Sequence, residues 1–483
     1  MLRKIVIWYV SSNSPLRLQI KQFVRRHSII RSFGVAVISV LLRPKHTLQR
    51  AYQTVFPSRL SRAASSRAIK AQRPHLETTI NSGAKFHVVV LNDVGFQYGA
   101  GIALRRQVAS FLLNGWQVTA VSHLRWRTPR YASISGFKDI DHAVPIHMAQ
   151  ASTDGKATEV ADIVADLDPD LVVTGNLHGT RQASSILTHL RERQIPIVAY
   201  MHDCFWATGR CAYMEGCRKY LTGCDDTCPT PSEYPALAPE LIANEWRDRE
   251  KLFTGVDRIP LVANSNWTRN VTLGRFRASA SVDMIHLGID HQLFSPLDRK
   301  EARQLLRLPE DKFIVAMGAI DINSRWKGGA IFSELFESLS QRQDIGVILL
   351  GSGSSELNSL KSFGLIEDER EIPLILSAAN LFVSTAIEEA FGQMLLEAAA
   401  CGIPSVAFDV GGIGDIVTSE TGILVQEQSA RALEAAISTV ANDIALSRRL
   451  GKAARLRVEQ QFTLNHQATE WSKYILERGY TSK

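Results

Sequence analysis

Past about residue 80 the chain alternates short apolar runs with stretches of helical period. Residues 86–91 (Phe-His-Val-Val-Val-Leu), 115–121, 171–174, 197–200 and 261–263 read as buried strands, and 313–317, 347–350, 380–384 and 404–409 repeat the pattern. Strands apolar on both faces and separated by helices imply parallel sheets covered on both sides. Two such units, joined through a hinge at 285–296, predict an α/β chain of two doubly wound, Rossmann-like domains facing a cleft. A length of 483 residues also exceeds what one compact core accommodates. The organisation read from the chain is an extension over 1–80, a first domain over 81–292 and a second over 293–455. A helical segment over 456–483 is expected to pack back toward the first domain.

The second unit carries the most suggestive chemistry. Between two strand-like runs lies Glu389-Ala-Phe-Gly-Gln-Met-Leu-Leu-Glu397, and Gly402 is suited to end the intervening helix in a left-handed conformation. On one continuous helix Glu389 and Glu397 would lie about 12 Å apart along the axis and roughly 80° apart around it. With Glu389 on a loop and Glu397 inside the helix, both can meet one elongated ligand. The backbone N–H groups near Phe391 and Gly392 then suit a phosphate at a helix N-terminus. The plain alternative is an amphipathic helix with two solvated glutamates.

Charge changes the picture at the N-terminal end. Residues 1–80 hold 15 of the 55 Lys and Arg residues and one acidic residue, Glu77, which leaves 40 basic against 47 acidic residues in the remainder. A basic extension with short apolar runs fits an anionic membrane surface. An organelle transit segment or a solvated tail are the other readings. No nucleic-acid-binding motif accompanies the charge, so no nucleic acid is expected. The uncharged apolar stretch 32–42, a candidate for a membrane span, falls short of the ~20 residues that one needs.

Taken together, the motifs resemble the retaining GT-B glycosyltransferases of the family 4 type, most of all those of colanic-acid and exopolysaccharide biosynthesis. The resemblance runs from about Phe86 to Gln461. It rests on Glu389-Ala-Phe-Gly-Gln followed by Glu397-Ala and Cys401-Gly-Ile-Pro404, and on Phe408-Asp-Val-Gly-Gly-Ile413 with Asp415-Ile-Val417 and Thr421-Gly-Ile-Leu424. Asn264-Ser-Asn-Trp267, His286-Leu-Gly-Ile-Asp290 with Phe294-Ser-Pro296, and Arg325-Trp-Lys-Gly328 add to it, as do His202-Asp203, Thr208-Gly209 and Cys211-Ala-Tyr213. Three positions depart from the family pattern: Gly414 stands where Pro is usual, Phe205 where Trp is frequent, and Arg325 lies only two residues before Lys327.

The resemblance implies the GT-B fold and a metal-independent hexosyl transfer with retention. The donor would be a nucleotide sugar and the acceptor a polysaccharide or lipid-linked oligosaccharide. The setting would be cell-surface polysaccharide or lipopolysaccharide synthesis, in the cytoplasm at the inner face of the plasma membrane. Arg325 and Lys327 would neutralise the departing diphosphate with the N–H groups of Phe391 and Gly392. Glu397 would take the ribose hydroxyls and Glu389 the donor sugar. His202, at the strand edge where α/β sheets place ligands, would contact donor sugar or acceptor, with Asp203 orienting it or binding acceptor. The loop bearing Gly99 and Gly101 would line the acceptor side. A satisfied structural histidine is the alternative for His202. For the whole chain the alternatives are a sugar-nucleotide epimerase on the same fold and an inactive scaffold, the latter at odds with intact Glu389, Glu397 and Lys327.

No cofactor is expected for catalysis itself. Cys211, Cys217, Cys224 and Cys228 fall within 18 residues and lack a Cys-x2-Cys pair. They are read as a structural zinc site stapling a long loop, with reduced thiols or disulfides as the other readings. The Asp-x-Asp pairs Asp139/Asp141 and Asp168/Asp170 are discounted as unremarkable in a chain with 48 acidic residues.

Overall fold

The computed structural model describes residues 85–483 apart from 94, 97, 123–155, 181, 355, 356, 358 and 367. The extension over 1–80 and the pair Asp139/Asp141 therefore lie outside the described residues. Two six-stranded, wholly parallel sheets occupy this part of the chain, within one compact unit. The first contains β1 His87–Asn92, β2 Gln117–Ser122, β3 Leu171–Thr174, β4 Ile197–Met201, β5 Leu261–Ala263 and β6 Val282–Met284, in the order β2-β1-β3-β4-β5-β6. The second contains β7 Phe313–Asp321, β8 Ile345–Ser352, β9 Lys361–Ser362, β10 Leu381–Ser384, β11 Ser405–Phe408 and β12 Gly422–Val425, in the order β12-β11-β10-β7-β8-β9.

The central strands are buried from end to end: Val88 to Leu91, Leu171 to Val173 and Ile314 to Met317 have essentially no solvent exposure. This is the burial that a parallel sheet covered on both faces requires. Three strands lie outside the runs read above: β12, a four-residue edge strand, and two that break the apolar pattern. β6 and β9 are half-buried edge strands, and their polar residues (Asp283 in β6, Lys361 and Ser362 in β9) leave no buried run to read.

Strand order fixes where a ligand can sit. In the first sheet the chain steps outward in opposite directions from β1 and β3, and in the second from β7 and β10. Open α/β sheets bind ligands at the carboxyl ends of such switch-point strands. Both lobes therefore present their loop residues at one defined edge, and the residues that follow β1, β3, β4, β7 and β10 are the ones to inspect.

Helices α1 (Tyr98–Leu113), α2 (Pro239–Phe253), α3 (Asn266–Phe276), α4 (Gln393–Ala400), α5 (Ile444–Gln461) and α6 (Leu464–Glu477) matter most for the site. Gly402 follows α4 at φ 71, the left-handed conformation expected of it. Gly99 and Gly101, read as loop residues, belong to the first turn of α1. A Cβ on Gly101 would lie 2.7 Å from the Gly95 carbonyl, so the helix start packs directly on the loop before it. The boundary drawn after residue 455 falls inside α5, and the turn comes at Phe462 and Thr463 instead. Beyond it α6 lies on α1. Trp471 meets Phe111 edge-on at 5.1 Å, and Asn114 Nδ2 donates to the Ala468 carbonyl at 2.9 Å. Such an aromatic pair adds about 0.5–1.5 kcal/mol beyond its buried area.

Asp415 of the second lobe ties the lobes together. Its carboxylate accepts the Asn266 N–H at 2.8 Å and the Asn266 Nδ2 at 3.1 Å, and lies 3.0 Å from His286 Nε2. A carboxylate at the N-terminus of α3 is favoured by the helix dipole.

Candidate active site

The second lobe builds its half of the site from two loops that lock together. After β7 a single 3-10 turn, Arg325–Lys327, is stitched to the loop after β10. Ile387 N–H donates to the Trp326 carbonyl at 3.0 Å, and Thr385 Oγ1 donates to the Lys327 carbonyl at 2.8 Å. Gly328 closes this turn at φ 70, and a Cβ there would fall 2.0 Å from the Thr385 carbonyl oxygen, so glycine alone fits. On the other side, a Cβ on Gly411 would fall 1.9 Å from the Glu389 carbonyl oxygen, and the Gly412 N–H donates to that carbonyl at 2.8 Å. Glu389 is thus fixed from both directions on a loop, and its carboxylate forms an ion pair with Lys327 Nζ.

Phe391 and Gly392 lie just ahead of α4, with Gly392 at φ 101 in the cap position. The Phe391 N–H reaches the Glu389 carboxylate at 3.4 Å. Arg325 stands outside this cluster and holds two carboxylates, Glu215 at 2.7 Å and Glu233 at 3.0 Å, both from the loop that follows β4. The same loop is gripped by Glu388, whose carboxylate accepts the N–H groups of Met214 (3.1 Å) and Glu215 (2.7 Å). A phosphate reaching Arg325 therefore replaces acidic side chains rather than water alone.

Glu397 sits inside α4, only 5% exposed, with Oε1 2.6 Å from Arg106 Nη2 on α1. Burial pushes its carboxyl up, and Arg106 opposes that shift. Arg106 also donates to Gln393 Oε1 at 3.2 Å, while Gln393 Nε2 donates to the Gly99 carbonyl at 2.5 Å. Gly99 and Glu397 thus meet through an interlobe network.

In the first lobe, His202 follows β4 directly with only 8% of its surface exposed, and neither ring nitrogen has a hydrogen-bond partner. Burial lowers its pKa to about 4, so the ring is neutral at physiological pH. Gly175 makes room for it: a Cβ there would lie 3.1 Å from the imidazole. The Asp203 carboxylate points into its own loop, accepting the Phe205 N–H at 2.9 Å and Asn176 Nδ2 at 3.1 Å. Burial pushes Asp203 up, but His178 and the Phe205 N–H outweigh it and hold the carboxyl below its ordinary range.

Two further buried groups at this edge were not singled out in the sequence. Asp93 follows β1 and accepts the Gly179 N–H at 2.7 Å, and His178 follows β3 with Nε2 3.4 Å from Asp203. The signal was present as Asn176-Leu-His-Gly179 directly after a buried strand, the same position that marked His202.

Because His202 is held neutral, it gives stability a defined pH slope. The unfolded chain binds a proton at this residue near pH 6.5 and the folded chain only near 4. Stability from this group is complete above pH 6.5 and is lost as pH falls toward 4, by roughly 3 kcal/mol at most. His178 has the opposite sign, its pKa being raised by Asp203 and Asp93 against burial, so its contribution fades only as pH rises. Chemical denaturation of His202→Gln should accordingly show a flatter loss of stability between pH 6.5 and 4 than the parent chain. Equal slopes would refute the neutral assignment.

The four cysteines read as a zinc site do not converge on one point. Cys211, Cys217, Cys224 and Cys228 are free thiols, and among the described residues no group of three or more His, Cys, Asp or Glu side chains is arranged to hold a metal ion. Burial pushes Cys211 up to about 12 and also raises Cys224. The loop is pinned by arginines instead. Arg210 donates to the carbonyls of Glu233 (2.7 Å) and Pro235 (2.6 Å), and Arg249 of α2 donates to that of Thr208 (2.9 Å).

Residues 298–457 match the family described as Glycosyl transferases group 1. The match falls on the second lobe and covers about a third of the chain. The chain is 29% identical over 260 residues to D-inositol 3-phosphate glycosyltransferase 1 of Catenulispora acidiphila, covering 49% of this chain and 56% of that protein. It is 32% identical over 194 residues to the lipopolysaccharide core biosynthesis mannosyltransferase LpsB of Rhizobium meliloti, covering 36% and 54%. The chain thus spans about half the length of these curated relatives. Among solved structures, sucrose-phosphate synthase from Thermosynechococcus elongatus superposes with a TM-score of 0.61 at 20% identity, over 82% of this chain and 99% of that one. HepE from Anabaena, in complex with UDP-glucose, superposes with a TM-score of 0.59 at 20% identity, over 80% and 99%. These likenesses establish the GT-B fold, and the family match falls on the lobe that holds the second of its two sheets.

Proposed function

We propose that this chain is a retaining glycosyltransferase that moves a sugar from a nucleotide-sugar donor to a polysaccharide or lipid-linked oligosaccharide acceptor in cell-surface polysaccharide synthesis. The observation that carries the reading is the Lys327–Glu389 pair, set beside the start of α4 at the carboxyl edge of the β7/β10 switch point. A cation and backbone N–H groups converging at one edge suit a diphosphate leaving group. In this reading Lys327 and Arg325 neutralise the diphosphate, with the N–H groups of Phe391 and Gly392 beside them. Glu389 faces the donor sugar. Glu397 keeps Arg106 on Oε1 and offers its other oxygen to the ribose. His202 faces donor sugar or acceptor from the first lobe. Asp203, its carboxylate engaged within its loop, orients rather than binds, and Gly99 and Gly101 keep the acceptor side of the cleft.

A nucleotide-sugar donor is supported by UDP-glucose in the HepE complex, and the polysaccharide setting by LpsB. Among the described residues no helix is long and apolar enough to cross a membrane. The basic 1–80 segment would hold the enzyme to the anionic inner face of the plasma membrane, where a lipid-linked acceptor lies.

The test is nucleotide release by the full chain across a panel of nucleotide sugars, with and without membrane-extracted lipid acceptor presented in neutral or anionic vesicles. Acceptor-stimulated release from one donor, faster on anionic vesicles and slowed by salt, is expected. A sugar-nucleotide epimerase would instead form product with no acceptor. Folded protein that shows no acceptor-stimulated release from any donor would sink the transferase assignment.

A further inference from the structure

The carboxyl edge of the first sheet buries two carboxylates close together. Asp93 after β1 is 2% exposed and Asp203 after β4 is 7% exposed, and β3 lies between those strands on the β1 side of β4. Two buried like charges are costly unless a cation accompanies them. The nearest such group is His178, which follows β3. Its Nε2 lies 3.4 Å from Asp203 Oδ2, a charge contact without hydrogen-bond alignment, and its Nδ1 lies 3.3 Å from the Tyr234 hydroxyl. The Asp93 carboxylate is drawn to the same turn by the Gly179 N–H at 2.7 Å. Arg249, the other buried cation here, is occupied by the carbonyls of Phe205 and Thr208 and by Glu245 at 3.3 Å.

Asp203 is the neighbour of His202 in the chain, and its carboxylate caps the 3-10 turn Phe205–Ala207 through the Phe205 N–H. Whatever fixes Asp203 therefore fixes the backbone that aims His202. The ring itself has no hydrogen bond to hold it, since both its nitrogens lack a partner. Its placement depends on its backbone, on the gap at Gly175, and on the edge-on contact with Tyr200 at 5.0 Å.

We propose that His178 is a positioning residue: paired with Asp203 beside the buried Asp93 carboxylate, it holds the β4 loop that presents His202 to the cleft. This rests on the reading of His202 as a residue facing donor sugar or acceptor. The ionisable groups that face His178 are Asp93, Asp203, His202, Tyr234 and Arg249. The two carboxylates hold its proton, while Arg249 opposes it.

The experiment compares the full chain with His178→Gln and with the charge-conserving pair His178→Gln/Asp93→Asn, which removes one cation and one anion together. The first readout needs no activity: titration of His202 followed by NMR on protein carrying 13C-labelled histidine. Loss of the neighbouring cation in His178→Gln should move the His202 titration to higher pH, and an unmoved titration overturns the proposal. The second readout is transfer. Turnover should fall roughly 10- to 100-fold, as misplacing a reacting group by about 1 Å does, while the affinity for UDP, GDP or ADP, whichever the parent binds, stays within about twofold. The paired variant should recover thermal stability and leave turnover low. If it recovers turnover as well, His178 serves charge balance alone and the positioning role is overturned. A parent chain that transfers no sugar defeats the transferase reading, and the His202 titration still decides the His178–Asp203 pairing.

Discussion

Replacing Lys327 with alanine should lower sugar-transfer turnover by about 10²- to 10³-fold, the range seen when one preorganised stabiliser of a developing negative charge is removed. Lys327 pairs with Glu389, and both are fixed by backbone contacts that the substitution leaves intact, the Thr385 bond to the Lys327 carbonyl and the Gly412 bond to the Glu389 carbonyl. The side chain is about a quarter exposed, so its loss leaves Glu389 in reach of water and should cost the fold little. Lys327→Arg keeps the charge but not the compact ammonium geometry and should recover only part of the rate. Turnover measured at saturating donor, with thermal melting as the control for folding, decides the matter. A loss smaller than about threefold in folded protein would remove Lys327 from the diphosphate site.

A different liability sits at Arg106. Arg106→Met should destabilise the chain by about 3–5 kcal/mol, the cost of stripping the partner from a buried ion pair. Glu397 would remain inside α4 with no cation at 2.6 Å. Burial already pushes this carboxyl up, and without Arg106 it would rise further. A carboxyl whose pKa is higher folded than unfolded loses stability as pH rises between the two values, so the penalty should be larger at pH 8 than at pH 5. Adding Glu397→Gln removes the stranded charge and should return a substantial part of the loss, since the two residues are directly coupled. Melting temperatures of the parent, both single variants and the double variant at the two pH values provide the check. Additive, pH-independent losses would show that the pair is solvated and energetically idle. The pair joins α1 of the first lobe to α4 of the second, so its loss should also loosen the seat of the candidate ribose-facing carboxylate.

The parts of the fold legible in the sequence are those that depend on neighbours a few residues away. Runs such as Val88 to Leu91 and Ile314 to Met317 announce strands buried on both faces, and Gly402 announces the end of α4. The edge strands at Val282 and Lys361 were silent because half-buried positions carry polar residues. The spacing of Glu389 and Glu397 showed that one carboxylate could lie on a loop and the other in a helix, and that is where they lie.

What each carboxylate touches was decided elsewhere. Glu397 meets Arg106 across 291 positions of sequence, and Arg325 is held by Glu215 and Glu233 of the other lobe. The four cysteines looked like a metal staple because they are close in sequence, yet burial and two arginines govern that loop. His178 went unread although it follows a buried strand as His202 does. Its partners appear only when β1, β3 and β4 bring Asp93 and Asp203 to the same edge. Local periodicity and spacing, set by short-range sterics and burial, determined the two parallel sheets and the loop-and-helix arrangement of the Glu389 segment. The partners of its buried charges were settled only by packing one lobe against the other, because the burial and Coulomb interactions that select them act between residues distant in the chain.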